Sequence, residues 1–291
     1  MGDGEFLALV LHAANRVAGP WTPGARAVLA AAYEVAAERR LIAASLADRF
    51  AELLQAPLAL DDQEWWHSNR SFESPYDRKF VDFTRVYGNG EFPWDGLWTV
   101  TAPPSEIHDE LIDTWELFPG PISRWRLPAR ADARMWRIDR SQDWVDLVAR
   151  YPRPAAGPHS GWELPGPNQH RRELGPLLRL PCQNAARTVA SRHVLPDWER
   201  VRQDYDGVHL SWAGFITTEG RVSELPDGSV TMLRHWASER TLWFADVFGS
   251  PIALSAPDLS GRINGEQGIS ARDDAARRHR DLTVLSSLLG R

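Results

Sequence analysis

The residues of this chain whose types and spacing suit chemistry fall in short, strand-like stretches: His67 and Ser68, Thr99 and Thr101, His209 and Ser211, then Ser238 and Glu239. Thr99 and Thr101 are two residues apart, as are His209 and Ser211, and a strand turns such residues to one face. Singly, they read as surface polar positions on half-buried strands. Together they describe a cleft floored by tryptophan, where a flat ring is stacked and a single carboxylate acts away from water.

The commoner chemistries leave no signature. The nine histidines are scattered, without the His-Glu-x-x-His spacing of a helical metal site, so no metal is expected. A phosphate-cradling Gly-x-x-x-x-Gly-Lys-Ser/Thr loop, a Gly-x-Gly-x-x-Gly turn and a Gly-x-Ser-x-Gly elbow are all absent from the sequence. Cys182 is the single cysteine, which excludes an intrachain disulfide and a cysteine zinc site and fits a reducing compartment. A net charge of −6 argues against a general nucleic-acid footprint, although a local basic patch is compatible with it. Met1 to Leu11 carries acid where a signal peptide carries positive charge, and no stretch approaches the roughly 18 apolar residues of a span. The expectation is a cytoplasmic protein that does not enter a membrane.

The elements that position these residues follow from periodicity. Residues 5–18 and 24–56 are rich in alanine and leucine at helical spacing, and form a helical cap over residues 1–57. The cap is expected to pack on the following domain, with a homodimer through residues 5–56 as the alternative. Residues 58–254 then form a Trp-rich α+β domain: a mixed β-sheet with flanking helices, holding much of the chain's 14 tryptophans. Strands are expected at 64–70, 92–101, 134–138, 207–212, 230–236 and 241–248. Helices are expected at 105–115, 141–151 with Ser141 as N-cap, and 196–205 capped by Asp197. In the second strand, Leu97 and either Val100 or Trp98 belong to the core. Residues 152–194, rich in proline, glycine and arginine, form a long irregular insertion, and such loops often carry function. A glycine- and proline-rich linker and a helix capped by Ser270 fill 255–291. The strand at 207–212 turns Val208, Leu210 and Trp212 one way and His209 and Ser211 the other.

The series Gly96-Leu-Trp-Thr-Val-Thr101, Ala133-Arg-Met-Trp-Arg-Ile-Asp-Arg-Ser-Gln-Asp-Trp144, Asp197-Trp-Glu-Arg-Val-Arg-Gln-Asp-Tyr-Asp-Gly-Val-His-Leu210 and Trp236-Ala-Ser-Glu-Arg-Thr-Leu-Trp243 resembles a group of poorly characterised bacterial and phage proteins. The order of parts over residues 64–249 is similar to that of the ADP-ribosyltransferase fold: a first strand with His or Arg, a strand carrying hydroxyls, and a late strand near a glutamate. The resemblance implies NAD as ADP-ribose donor and a macromolecular target, protein or nucleic acid. It implies that His67 or Arg70 positions the dinucleotide, that Thr99 and Thr101 support its nicotinamide side, and that Trp98 or Trp94 stacks on the ring. His209 and Ser211 would line the cleft, and Glu239 would hydrogen-bond the ribose and stabilise positive charge in the transition state. The chain departs from that family in having Ala237 in place of the Glu or Gln two residues before the glutamate, and in lacking a Ser-Thr-Ser run.

Two rival expectations stand beside this one. The tryptophan-rich strands and the helices of residues 5–56 suit a noncatalytic interaction module. A biosynthetic enzyme of unrelated mechanism would use the same cleft.

Overall fold

A computed structural model describes residues 50–68, 97–101, 122–154, 194–219, 222–233, 236 and 238–255. The helices expected at 5–18, 105–115 and from Ser270, most of that at 24–56, and the residues Arg70, Trp94 and Cys182 lie outside the described residues. The described helices are α1 (Ala51–Gln55), α2 (Ser141–Arg150), α3 (Trp198–Asp204) and α4 (Trp212–Thr218). The strands are β1 (Gln63–Ser68), β2 (Leu97–Thr101), β3 (Ile122–Leu127), β4 (Met135–Ile138), β5 (Pro152–Pro154), β6 (Val194–Pro196), β7 (Gly207–Leu210), β8 (Val222–Glu224), β9 (Val230–Met232), β10 (Arg240–Trp243) and β11 (Ile252–Leu254).

Among the described residues, seven strands form one sheet in the order β11-β3-β1-β2-β10-β7-β4. It is mixed, because β4 and β7 run parallel while the other neighbours are antiparallel. A parallel pair needs a crossover, and α2, the β5–β6 pair and α3 lie within it. The start of this pair is clamped by Asp206, whose carboxylate accepts the Arg134 N–H at 2.8 Å and its guanidinium at 3.0 Å. Burial, the largest single influence, acts to raise the Asp206 carboxyl, but these bonds together with the charges of Arg134 and Arg130 outweigh it and hold the carboxyl below its ordinary value. The two ends of the segment expected as an irregular insertion are strands, and Pro152 to Pro154 pairs antiparallel with Val194 to Pro196.

Register sorts the sheet's side chains into two faces. On one face Val208, Leu210, Leu242 and Ile138 meet Trp144, Leu147, Val148, Trp198, Val201 and Phe215 from the helices, in a core that also holds Phe50 and Trp236. On the other face Trp65, Leu97, Leu127 and Trp243 form a smaller core with Ala129 and Val247. Each fully buried side chain of this size contributes about 1.5–3 kcal/mol relative to exposure. Leu97 and Val100 are both buried, on opposite faces.

Several local expectations are corrected. The strand at 207 stops at Leu210, since Ser211 accepts the Gly214 N–H at 3.1 Å and starts α4, so Trp212 is helical. The same strand is buried throughout and not half-buried, because both faces of the sheet are covered there. Helix α2 begins with Ser141 as its first residue, not its cap: the Asp143 carboxylate reaches back to the N–H groups of Asp139 and Arg140 at 2.9 and 3.0 Å. Residues 230–232 pair with β8 outside the main sheet, because Pro226-Asp227-Gly228 makes a tight reversal with Gly228 at φ 76°. Ile252–Leu254, for which no strand was expected, adds β11 beside β3.

Candidate functional site

Alternation along five adjacent strands brings a polar row to the face opposite the helices. Gln63 pairs with Thr101, Thr99 with Thr241, Thr241 with His209, and His209 with Arg137, so these positions share a face across β1, β2, β10, β7 and β4. Glu239 stands two residues before Thr241. Its carboxyl oxygens accept the Thr101 backbone N–H at 3.1 and 3.2 Å. His209 Nδ1 lies 3.5 Å from Glu239 Oε1 and 2.9 Å from Thr241 Oγ1.

A second set of bonds runs toward the smaller core. The Trp243 indole N–H donates to Thr99 Oγ1 at 2.7 Å, and the Thr99 hydroxyl donates to Gln63 Oε1 at 2.5 Å. Gln63 Nε2 donates to Thr101 Oγ1 at 3.1 Å and to the Ala59 carbonyl at 2.8 Å. The row therefore satisfies its own hydrogen-bonding groups, as buried polar atoms must.

Gln63, Thr99, His209, Glu239 and Thr241 are each no more than 3 % exposed, which fixes the electrostatics. Burial pushes the Glu239 carboxyl up to about 8, although bonds from the Thr101 N–H and hydroxyl and the charge of Arg240 act the other way. Burial pushes His209 down to about 3, assisted by the Arg137 charge and opposed by Asp139. At neutral pH the proton resides on the carboxyl and the imidazole is neutral, so the 3.5 Å contact is a neutral acid–base pair and not an ion pair. A dry carboxylic acid beside an imidazole is equipped to give or take a proton, or to accept a hydroxyl once ionised.

Of the residues singled out from sequence, Thr99, Thr101, His209 and Glu239 are brought together. Ser211 is not among them: its side chain caps α4 and contacts the Ile138 carbonyl at 3.3 Å. Trp98 faces the opposite way from Thr99 and sets its edge against Trp236 at 4.9 Å within the larger core, so it cannot stack on a ring held at the row. The His67 backbone pairs with Ser123 and stands four residues along β1 from Gln63, roughly 13 Å at the rise of a strand. Gln63, Thr241 and Arg137 were missed, although a period of two already aligns Gln63 with Trp65 and His67, and Thr241 with Glu239 and Trp243.

Among the described residues no group of three His, Cys, Asp or Glu side chains is placed to hold a metal ion. No described helix is long and apolar enough to cross a membrane. Comparison with protein-family models, curated proteins and solved structures finds no match.

Proposed function

We propose that the chain is an ADP-ribosyltransferase-like enzyme that consumes NAD to modify a macromolecular target, with Glu239 as its catalytic carboxylate. The observation that carries this reading is the seat of Glu239: buried, fixed by the Thr101 N–H, and in contact with His209. Support also comes from the sheet order, in which the first strand, the hydroxyl-bearing strand and the strand that follows the glutamate are neighbours β1, β2 and β10. The residues fit NAD in part. Glu239 and the threonines provide hydrogen bonds, whereas Trp98 is removed from ring stacking and the row is closed to a dinucleotide unless its cover moves.

When ionised, Glu239 accepts a ribose hydroxyl and opposes the positive charge that develops as nicotinamide departs. The carboxyl gives up its proton to solvent as pH rises through about 8, while His209 stays neutral beside it. The test is nicotinamide release from NAD by the purified chain and by Glu239→Gln. Expected is a loss of about 100-fold or more in rate with NAD affinity nearly unchanged. Absence of NAD binding by calorimetry ends the proposal.

A specific observation favours a second reading, the noncatalytic interaction module. Every polar side chain of the row has a partner within the fold and almost no exposure, as in a network whose work is structural. Under this reading NAD does not bind, and a stable dimer or complex is lost when residues 1–49 are removed. Ending the deletion there keeps Phe50 in the core.

A further inference from the structure

The ladder between β2 and β10 pairs Leu97 with Trp243, Trp98 with Leu242 and Thr99 with Thr241. Two residues further, the same register sets Thr101 opposite Glu239. The Thr101 N–H points toward β10, so this is a position at which two backbones ordinarily exchange hydrogen bonds. Here a side chain takes the backbone's part: both Glu239 carboxyl oxygens accept the Thr101 N–H, at 3.1 and 3.2 Å. The Glu239 carbonyl has another donor, the Ser238 hydroxyl, at 3.0 Å. The Ser238 oxygen in turn receives Arg240 Nε–H at 3.3 Å. The guanidinium can only donate and the carbonyl can only accept, so the one hydroxyl hydrogen of Ser238 is committed to the carbonyl. Ser238 is 1 % exposed and Glu239 3 %, so a bond lost there is not made good by bulk water.

We infer that Ser238 is a positioning residue for Glu239: by satisfying the Glu239 carbonyl it leaves the Thr101 N–H to the carboxyl, and so fixes the carboxyl against β2. The inference rests on the reading that Glu239 is the working group of this site. Without the Ser238 hydroxyl, the buried carbonyl needs a donor, and the N–H that the register sets opposite it is that of Thr101. A backbone pair there orders no side chain, so it displaces the carboxyl from β2. Among the described residues, the charged and titratable groups facing Glu239 are His209 on β7 and Arg240 at the head of β10. Arg137 and Asp139, on and just after β4, act on His209 in turn. Ser238 carries no charge, and its hydroxyl can be removed while all four keep theirs.

The experiment follows the Thr101 amide signal of the full 15N-labelled chain through a pH titration. In the unaltered chain this signal is expected to move as Glu239 ionises at about 8, and in Glu239→Gln that movement is expected to vanish. Ser238→Ala is expected to abolish it too, because the amide then bonds a carbonyl that does not titrate. Ser238→Thr keeps a hydroxyl in place and is expected to restore it. In nicotinamide release, Ser238→Ala is expected to lower kcat about tenfold, the worth of one hydrogen bond, with KM for NAD nearly unchanged. A Thr101 amide that titrates in Ser238→Ala as it does in the unaltered chain overturns the inference, as does an unchanged kcat in a chain that releases nicotinamide. Should Ser238→Ala fail to fold, Ser238→Cys takes its place: its thiol is a weak donor, so diminished movement is expected and full movement overturns the inference. Titration that behaves as expected in a chain that releases no nicotinamide would retain the positioning role and remove the enzyme proposal.

Discussion

The two faces of the central sheet are held by different physics, and neighbouring residues of one strand make the contrast plain. On β10, Leu242 turns into the large apolar core with Val208, Ile138 and Trp198, where contact area and volume decide stability. One residue earlier, Thr241 turns to the other face and meets His209 at 2.9 Å, in a row where stability depends on every donor finding its acceptor. The first face tolerates loss of area in proportion to what is removed. The second is sensitive to single atoms and to pH.

The strongest way to break the helical face is at Gly214. A Cβ there would lie 1.9 Å from the Ile138 carbonyl oxygen, a backbone atom that cannot rotate aside. Gly214→Ala is expected to cost more than about 3 kcal/mol in urea denaturation, by driving α4 off the end of β4. Leu242→Ala comes next, at about 2–5 kcal/mol for the area and cavity lost. Thr241→Val, of equal size on the polar face, is expected to cost about 1 kcal/mol. If Thr241→Val costs as much as Leu242→Ala, the two faces do not differ in the way argued.

The pH dependence sharpens the contrast, because the polar face holds two buried groups, His209 and Glu239, whose values burial moves far from the ordinary ones. His209 has its folded value lowered from 6.5 to about 3, so the unfolded chain binds its proton first and stability falls as pH drops from 6.5 toward 3. Glu239 has its folded value raised from 4.5 to about 8, so the unfolded chain ionises first and stability falls as pH rises from 4.5 toward 8. The two effects cancel between about 4.5 and 6.5, and stability from this pair is greatest there. Thermal melts of Glu239→Gln are expected to lose the alkaline decline while keeping the acid one. In the enzyme reading, nicotinamide release by the unaltered chain rises with pH through about 8, since the carboxylate form does the work.

How much of this was legible in the sequence follows the same division. The β2 alternation of Thr99 and Thr101 was readable because β-branched hydroxyls at period two have few other uses, and the buried stripe of Trp144, Leu147, Val148 and Tyr151 was readable from helical spacing. Asp197 at the start of α3 was equally plain, since an acidic side chain there satisfies an orphan N–H. What escaped was the sheet order, which joins Glu239 to Thr101 across 138 residues, and no local pattern encodes a pairing of that range. Gln63 escaped for a related reason: an isolated glutamine before a strand reads as solvent-facing until its strand partners are known. Ser211 misled in the opposite direction, because a serine two residues from a histidine continues a strand or caps a helix equally well, and Gly214 tipped it to the cap by allowing close approach to β4.

The smallest expected effect lies where the polar row meets water. Arg137 is the cross-strand neighbour of His209 on the edge strand β4, and its side chain is 42 % exposed and paired with Asp139 at 3.1 Å. An exposed pair of this kind contributes at most about 1 kcal/mol, so Arg137→Gln should leave the melting temperature nearly unchanged near neutral pH. Its charge is nevertheless one cause of the depressed His209 value, and Asp139 opposes it. Removing Arg137 leaves Asp139 to act alone, so the His209 midpoint, followed by the NMR signals of its ring, is expected to rise. A higher folded value means less stability lost on acidification, and Arg137→Gln should therefore hold its fold to slightly lower pH than the unaltered chain. If the His209 midpoint does not move, burial alone sets it and the row ends electrically at β7, short of the sheet edge.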